Sequence, residues 1–125
     1  IGYSANDDRP LLMIGSHIDS VPNAGRYDGV LGVLLGIAIA QAYQHRFESL
    51  PVRLAVIAFS EEEGVRYRSP YIGSRAIAGC FDYDLLHRQD DQGITCGEAI
   101  NRFGGNADAI ALASLADANW YGCLE

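Results

Sequence analysis

Two groups of polar side chains in this sequence are of the kinds that bind metal ions or transfer protons. His17 and Asp19 follow one apolar run, and Glu61–Glu63, called here the acidic triplet, follow another. Asp28 lies between them, directly before a long apolar segment. Like charges brought together repel unless a cation lies among them. Imidazole and carboxylate groups suit zinc and its first-row neighbours, whereas calcium and magnesium sites are usually made of oxygen alone. These residue types therefore favour a divalent metal site.

The spacing of His17 and Asp19 places both side chains on the same side of an extended segment. One of them could bind a metal ion while the other accepts the proton of the second ring nitrogen, as is usual around a metal-bound histidine. Each residue also has an ordinary alternative. The histidine could be a polar residue at a strand end, Asp28 could cap a helix, and the acidic triplet could be a solvated turn. A shared site is favoured, because without it all three ordinary alternatives would have to be true at once at the same edge of the sheet, which is less probable than any one of them alone.

Two apolar runs and the segment between them predict the elements that position these side chains. Residues 11–16 and 52–59 are typical of buried strands, the second because it is β-branched and apolar after Arg53. Residues 29–43 have the length of a helix and are apolar nearly all round, so we expect this helix to be buried against a sheet. Strand, helix and strand make a βαβ unit with parallel strands, whose carboxyl ends meet at one edge.

The remainder of the chain predicts short helices and turns. Residues 73–78, 96–103 and 108–115 have the composition of short helices, and residues 90–93 and 104–106 that of turns. Together with the βαβ unit, these segments predict an α/β fold.

The composition limits the partners that the protein can have. Nine basic and sixteen acidic residues give a formal net charge of −7 over 125 residues, of which 49% are hydrophobic, as in one packed domain or part of one. The negative charge argues against nucleic acid and membrane surfaces, and favours a divalent cation or a small-molecule substrate. Three widely spaced cysteines suit a reducing compartment, and no signal peptide opens the chain, so we expect a cytoplasmic protein.

Two longer blocks resemble a known group of enzymes. Residues 15–29 read GSHIDSVPNAGRYDG and residues 59–67 read FSEEEGVRY. Both resemble the dinuclear-metal amidohydrolases and peptidases related to aminoacylases and glutamate carboxypeptidases. Within that superfamily they look most like the branch of N-carbamoyl-L-amino-acid hydrolase, allantoate amidohydrolase and β-ureidopropionase, as do residues 73–75 and 103–106. The resemblance implies a three-layer α/β fold with a mostly parallel central sheet and helices on both faces.

The resemblance also implies a role for each candidate residue. His17 would be a ligand of one metal ion, Asp28 the carboxylate that bridges two ions, and Glu63 a ligand of the second. Asp19 would orient His17, and Glu62 would be the general base. The implied cofactors are two divalent ions, either zinc or manganese, cobalt or nickel. In the superfamily the peptide bond after the bridging aspartate is often cis, so we expect a cis bond after Asp28.

The implied reaction is the hydrolysis of a linear amide or ureido C–N bond in a small molecule, such as an N-carbamoyl-L-amino acid or allantoate. An aminoacylase or metallopeptidase of the same superfamily, or an inactive truncated remnant, are the alternatives. No substrate-binding residue is identified. Arg66 and Arg75 could reach a substrate carboxylate, although pairing with the acidic triplet is preferred for Arg66. Glu61, His45 and His87 receive no role.

The resemblance also predicts that residues 1–125 are part of a larger catalytic domain. Relatives complete the site with two further histidines and carry a smaller domain that mediates dimerisation. We expect these parts to be absent from the 125 residues, the isolated fragment to be inactive and the full-length protein to be a homodimer.

Overall fold

The computed structural model describes all 125 residues, Ile1–Glu125, and they form two compact units. The first unit consists of residues 1–60 and 118–125, and the second of residues 61–117. The α/β fold predicted from the sequence is confirmed, because the first unit contains a four-stranded mixed sheet and the chain also forms helices.

The sheet of the first unit is mostly parallel. In it, β2 pairs in parallel with both β3 and β4, and β1 pairs antiparallel with β3, which gives the order β1-β3-β2-β4. The two longest strands are the two that the apolar runs predict. The strands are β1 (Gly2–Tyr3), β2 (Leu11–His17), β3 (Arg53–Phe59) and β4 (Trp120–Leu124).

Strands β2 and β3 are buried on both faces, as their continuous apolar sequences predict. No residue of β2 is exposed, and in β3 only Ala58 is. Gly15 has no room for a side chain, because a Cβ atom there would overlap the carbonyl oxygen of its partner Ile57. The pairing of these two strands therefore depends on a glycine as well as on apolar packing.

Helix α1 (Val30–Tyr43) packs on β2 and β3. Two glycines allow the close approach, since Cβ atoms at Gly32 and Gly36 would crowd Ser16 and Val56. The prediction that this helix is buried is correct for one face only. Val33 and Gly36 are buried, whereas Leu34 and Leu35 are more than half exposed. None of the helices is long and apolar enough to span a membrane.

Helix α1 is followed by a 3₁₀ helix, Gln44–Ser49. Ile14, Val52 and Leu54 form a core cluster of the first unit, with Phe47 and Leu50 packed against it. Burying side chains of this size contributes about 1.5–3 kcal/mol each, so the cluster is a major source of stability for the sheet.

The second unit is built from short helices. Its core consists of Tyr67, Ile72, Leu85 and Cys96, and burial raises the pKa of both the Tyr67 hydroxyl and the Cys96 thiol. Thr95 and Glu98 form a reciprocal capping box that starts the second of its α-helices. The short helices predicted there are present within two residues of the expected bounds. They are α2 (Ile72–Ile77), α3 (Cys96–Arg102) and the 3₁₀ helix Ala107–Ala113. A further 3₁₀ helix, Tyr83–His87, was not predicted.

Asp90 organises the turn that precedes α3. Its carboxylate accepts hydrogen bonds from the main-chain N–H groups of Gln92 and Ile94 and from Arg66. Burial alone would raise the pKa of Asp90, but the bonds from Ile94, Arg66 and Gln92 together lower it. The turn is therefore stabilised by the charged form of this side chain.

Replacing Gly15 with alanine should destabilise the first unit by at least about 2 kcal/mol, because the new methyl group overlaps main-chain atoms of β3. Gly122→Ala is the matched control, since Gly122 also lies in a strand and has open space around its Cβ position. Its effect should stay within about 0.5 kcal/mol. Urea denaturation measures both, and equal losses would contradict the packing described for Gly15.

Replacing Asp90 with asparagine should lower the melting temperature at pH 7. A carboxyl group whose folded pKa is depressed stabilises the fold above its unfolded pKa of about 3.9, and this contribution is lost as the pH falls below that value. The difference between D90N and the parent should therefore shrink between pH 5 and pH 2.5, as followed by circular dichroism. Asp91→Asn, at a side chain that is 93% exposed, is the control and should change little. A D90N deficit that stays constant at every pH would refute the role of the charge.

Candidate functional site

The carboxyl ends of β2 and β3 lie side by side, as the βαβ prediction requires. His17, the last residue of β2, is paired in register with Phe59, the last residue of β3. The acidic triplet begins two residues after Phe59 along the chain. The strand pairing therefore ends at the residues that the sequence singles out for chemistry.

His17 is half-buried, and its ring is held by the main chain. Its Nδ1 atom lies 2.6 Å from the carbonyl oxygen of Asp19. A proton on Nδ1 would donate to that oxygen and leave the lone pair on Nε2. The sequence predicts the carboxylate of Asp19 as the group that orients the ring, whereas this bond is made by the backbone carbonyl of the same residue.

Asp28 does not cap the helix that follows it. The N-cap of α1 is Gly29, and no side chain forms a capping hydrogen bond there, so that alternative for Asp28 is wrong. The carboxylate is half-buried and accepts a hydrogen bond of 2.8 Å from the hydroxyl of Ser20. The residue type of Ser20 did not point to this contact, although Ser20 lies within the block of residues 15–29.

Gly29 forms the turn between Asp28 and α1. Its φ of 65° and ψ of −58° are unfavourable for residues with a side chain, and a Cβ atom there would overlap the ring of His17. All peptide bonds are trans, so the cis bond predicted after Asp28 is wrong. The positive φ of Gly29 makes the turn instead and lets the helix start beside the histidine.

In the second unit one member of the acidic triplet, Glu62, is buried, so the triplet is not a wholly solvated turn. Glu62 is only 7% exposed, and its carboxylate accepts two hydrogen bonds from Ser74, one from the main-chain N–H and one from the hydroxyl, both 2.7 Å long. The carbonyl oxygens of Glu61 and Glu62 accept bonds from Ile72 and Tyr71. Ser74 lies in a block of the sequence that resembles the family, but its residue type alone assigned it no role.

Arg66 forms an ion pair with Asp90, with 3.0 Å between Nε and the carboxylate, where the sequence favours the adjacent acidic triplet as its partner. Its guanidinium also lies over the ring of Tyr67. The hydrogen bond to Asp90 is the main cause that raises the pKa of Arg66, so this side chain stays charged. Arg75 lies on α2, in the same unit.

Comparison with known proteins gives concordant matches. The family model described as peptidase family M20/M25/M40 matches residues 13–117. An N-carbamoyl-L-amino acid amidohydrolase of Geobacillus stearothermophilus is 38% identical over 109 residues, which cover 87% of this chain and 27% of that protein. An allantoate deiminase of Arabidopsis thaliana is 40% identical over 97 residues, which cover 76% of this chain and 18% of that protein.

The fold is similar to solved structures as well. The crystal structure of a hydantoinase/carbamoylase family amidase from Burkholderia ambifaria matches with a TM-score of 0.67 and 33% sequence identity, over 79% of this chain and 25% of that one. The chain therefore spans about a quarter or less of the length of the proteins it matches.

Replacing Gly29 with alanine should disturb His17 as well as the backbone. Gly25→Ala is the matched control, because Gly25 also has a positive φ but has open space around its Cβ position. The backbone penalty of about 1–2 kcal/mol applies to both variants, and only G29A adds an overlap with the imidazole. We expect G29A to be less stable than G25A in urea, and the His17 ring signals in NMR spectra to shift in G29A alone. Equal losses, or an unshifted ring, would contradict the close approach.

Proposed function

The chain belongs to peptidase family M20/M25/M40, and on this premise we propose that it forms part of the catalytic domain of a metal-dependent hydrolase of linear amide or ureido C–N bonds. The observation that carries the proposal is the identity of 38–40% to relatives named for the hydrolysis of N-carbamoyl-L-amino acids and for the deimination of allantoate. Substrates of those two kinds, both small molecules with a ureido group, are the ones we propose for this protein.

We propose that His17, Asp28 and Glu63 contribute ligands to two divalent ions. One imidazole and two carboxylates form a donor set that suits zinc, manganese, cobalt or nickel. Strand register supports the proposal, since Phe59 pairs with His17 and Glu63 follows Phe59 by only four residues, a reach of at most about 14 Å. The Asp19 carbonyl supports it further, because a proton held on Nδ1 leaves Nε2 of His17 as the ligand atom.

Asp28 would be the carboxylate that bridges the two ions. It is suited to this role because it is not used as a helix cap and because a neutral hydroxyl, that of Ser20, holds one of its oxygens. Gly29 then allows the loop that carries Asp28 to stay close to the ring of His17.

Glu62 is proposed as the general base. When bound, the ions would supply Lewis-acid polarisation of the substrate carbonyl and a lowered pKa for the attacking water. Glu62 would take a proton from the water as its oxygen bonds to the carbonyl carbon, and would deliver this proton to the departing nitrogen as the C–N bond breaks. A carboxylate that ligates a metal cannot do this, so the roles divide between Glu62 and its neighbour Glu63. An N-carbamoyl amino acid would yield the free amino acid, ammonia and carbon dioxide.

A second candidate is an aminoacylase or peptidase activity at the same site. The description of the matching family as a peptidase family favours it, whereas the names of the relatives favour ureido substrates. The attack on the carbonyl carbon is the same in both cases, so the two differ only in the group attached to that carbon.

We further propose that these residues need the rest of a larger catalytic domain for activity. The matched relatives support this proposal, because the 125 residues span only about a quarter or less of the length of those proteins. A homodimer and a cytoplasmic location stay predictions, the second supported by three free cysteines.

The roles can be separated in the encoded protein, including any sequence that flanks these 125 residues. Glu62→Gln should retain its metal ions and lose turnover of N-carbamoyl-L-amino acids or allantoate by a factor of about 10²–10⁴, the usual contribution of a general base. Asp28→Ala should lose metal as well. Mass spectrometry measures the metal content, and ammonia release measures turnover.

The exposed residue Glu48 supplies the control, because Glu48→Gln removes a carboxylate outside the proposed site. Equal metal loss in E62Q and D28A would refute the divided roles. Turnover of N-acetyl amino acids or dipeptides, but not of ureido compounds, would favour the second candidate instead.

A further inference from the structure

The contacts between Glu62 and Ser74 point to a role for a residue that the proposed function leaves unassigned. We propose that Ser74 is a positioning residue that fixes the carboxylate of Glu62 for proton transfer. This inference rests on the proposed function of Glu62 as the general base.

The two hydrogen bonds hold the carboxylate at both oxygens. The main-chain N–H of Ser74 donates to Oε1 and its hydroxyl donates to Oε2, each over 2.7 Å. Bonds to a charged group of this length are among the stronger ones in proteins, and two of them from one residue fix rotation as well as position. Glu62 is 7% exposed, so water has little access to replace a lost bond.

The main chain around Glu62 is already fixed, so its side-chain torsions are what Ser74 restricts. The N–H groups of Ile72 and Tyr71 donate to the carbonyl oxygens of Glu61 and Glu62, over 3.0 and 3.1 Å. These bonds join the acidic triplet to the start of α2, the helix that carries Ser74. The donor and the acceptor therefore sit on one joined piece of the second unit.

Fixing the carboxylate in this way is compatible with a role as a base. Each carboxylate oxygen has two lone-pair positions, and Ser74 donates only one bond to each oxygen. The hydroxyl is neutral, so it orients Glu62 without cancelling its charge. Misplacement of a catalytic group by about 1 Å can lower a rate about 10²-fold, so a loose carboxylate should be a poor base.

Ser74→Ala tests the inference in the encoded protein, with the ureido substrate that supports turnover in the parent. It removes the hydroxyl and keeps the main-chain donor. We expect kcat to fall about tenfold to a hundredfold, with KM changed less than about threefold and the metal content unchanged. Ser74→Thr restores a hydroxyl and should recover most of kcat. Ser114→Ala, which removes a hydroxyl elsewhere in the second unit, should leave kcat unchanged.

A double variant distinguishes positioning from a general structural effect. If Ser74 acts through Glu62, adding Ser74→Ala to Glu62→Gln should not lower the residual rate further. Should S74A fail to fold, Ser74→Cys keeps the shape with a weaker donor and serves the same test.

Three results would overturn the inference: an unchanged kcat in S74A, a kcat in S74T as low as in S74A, or the same further loss in the E62Q background. Full turnover by E62Q would instead overturn the proposed function of Glu62.

Discussion

The parallel pairing of β2 with β3 is the constraint on which the rest of the first unit depends. A shift of one residue in this register would turn every side chain of a strand to the opposite face. The apolar sequences alone oppose such a shift only weakly, because both faces of these strands are apolar. Gly15 opposes it more strongly, because the position next to the carbonyl of Ile57 has no room for a side chain. The register then ends both strands together, at His17 and Phe59.

Some residues of the block 15–29 are needed for the backbone conformation and not for binding or catalysis. Gly29 directly follows Asp28, and it is required both by a positive φ and by the ring of His17 beside it. Gly32, inside α1, allows the close approach of the helix to Ser16. Glycine in a helix costs about 0.5–1 kcal/mol relative to alanine, so Gly32 lowers the stability of α1 while it keeps the helix close to the end of β2.

The sequence predicted the elements whose signals are local. The bounds of β2, α1 and β3 lie within one residue of the apolar segments, because burial of these segments follows from their own composition. Strand β4 was not predicted, since its pairing with β2 joins residues more than a hundred positions apart. The exposed face of α1 was not predicted either, because hydropathy does not say which apolar side chains are covered. The bond from His17 to the main-chain carbonyl of Asp19 could not be predicted either, because every residue type has the same backbone carbonyl.

Two of the candidate carboxylates, Asp28 and Glu62, share one kind of hydrogen-bond donor. A serine hydroxyl donates to Asp28 in the first unit, and another donates to Glu62 in the second. An arginine would hold a carboxylate more strongly, as Arg66 holds Asp90, but it would also lower the basicity of that carboxylate and offset its charge. A hydroxyl donor fixes geometry without adding a positive charge. In this respect the serine bonds to Asp28 and Glu62 differ from the arginine bond to Asp90, which stabilises a turn.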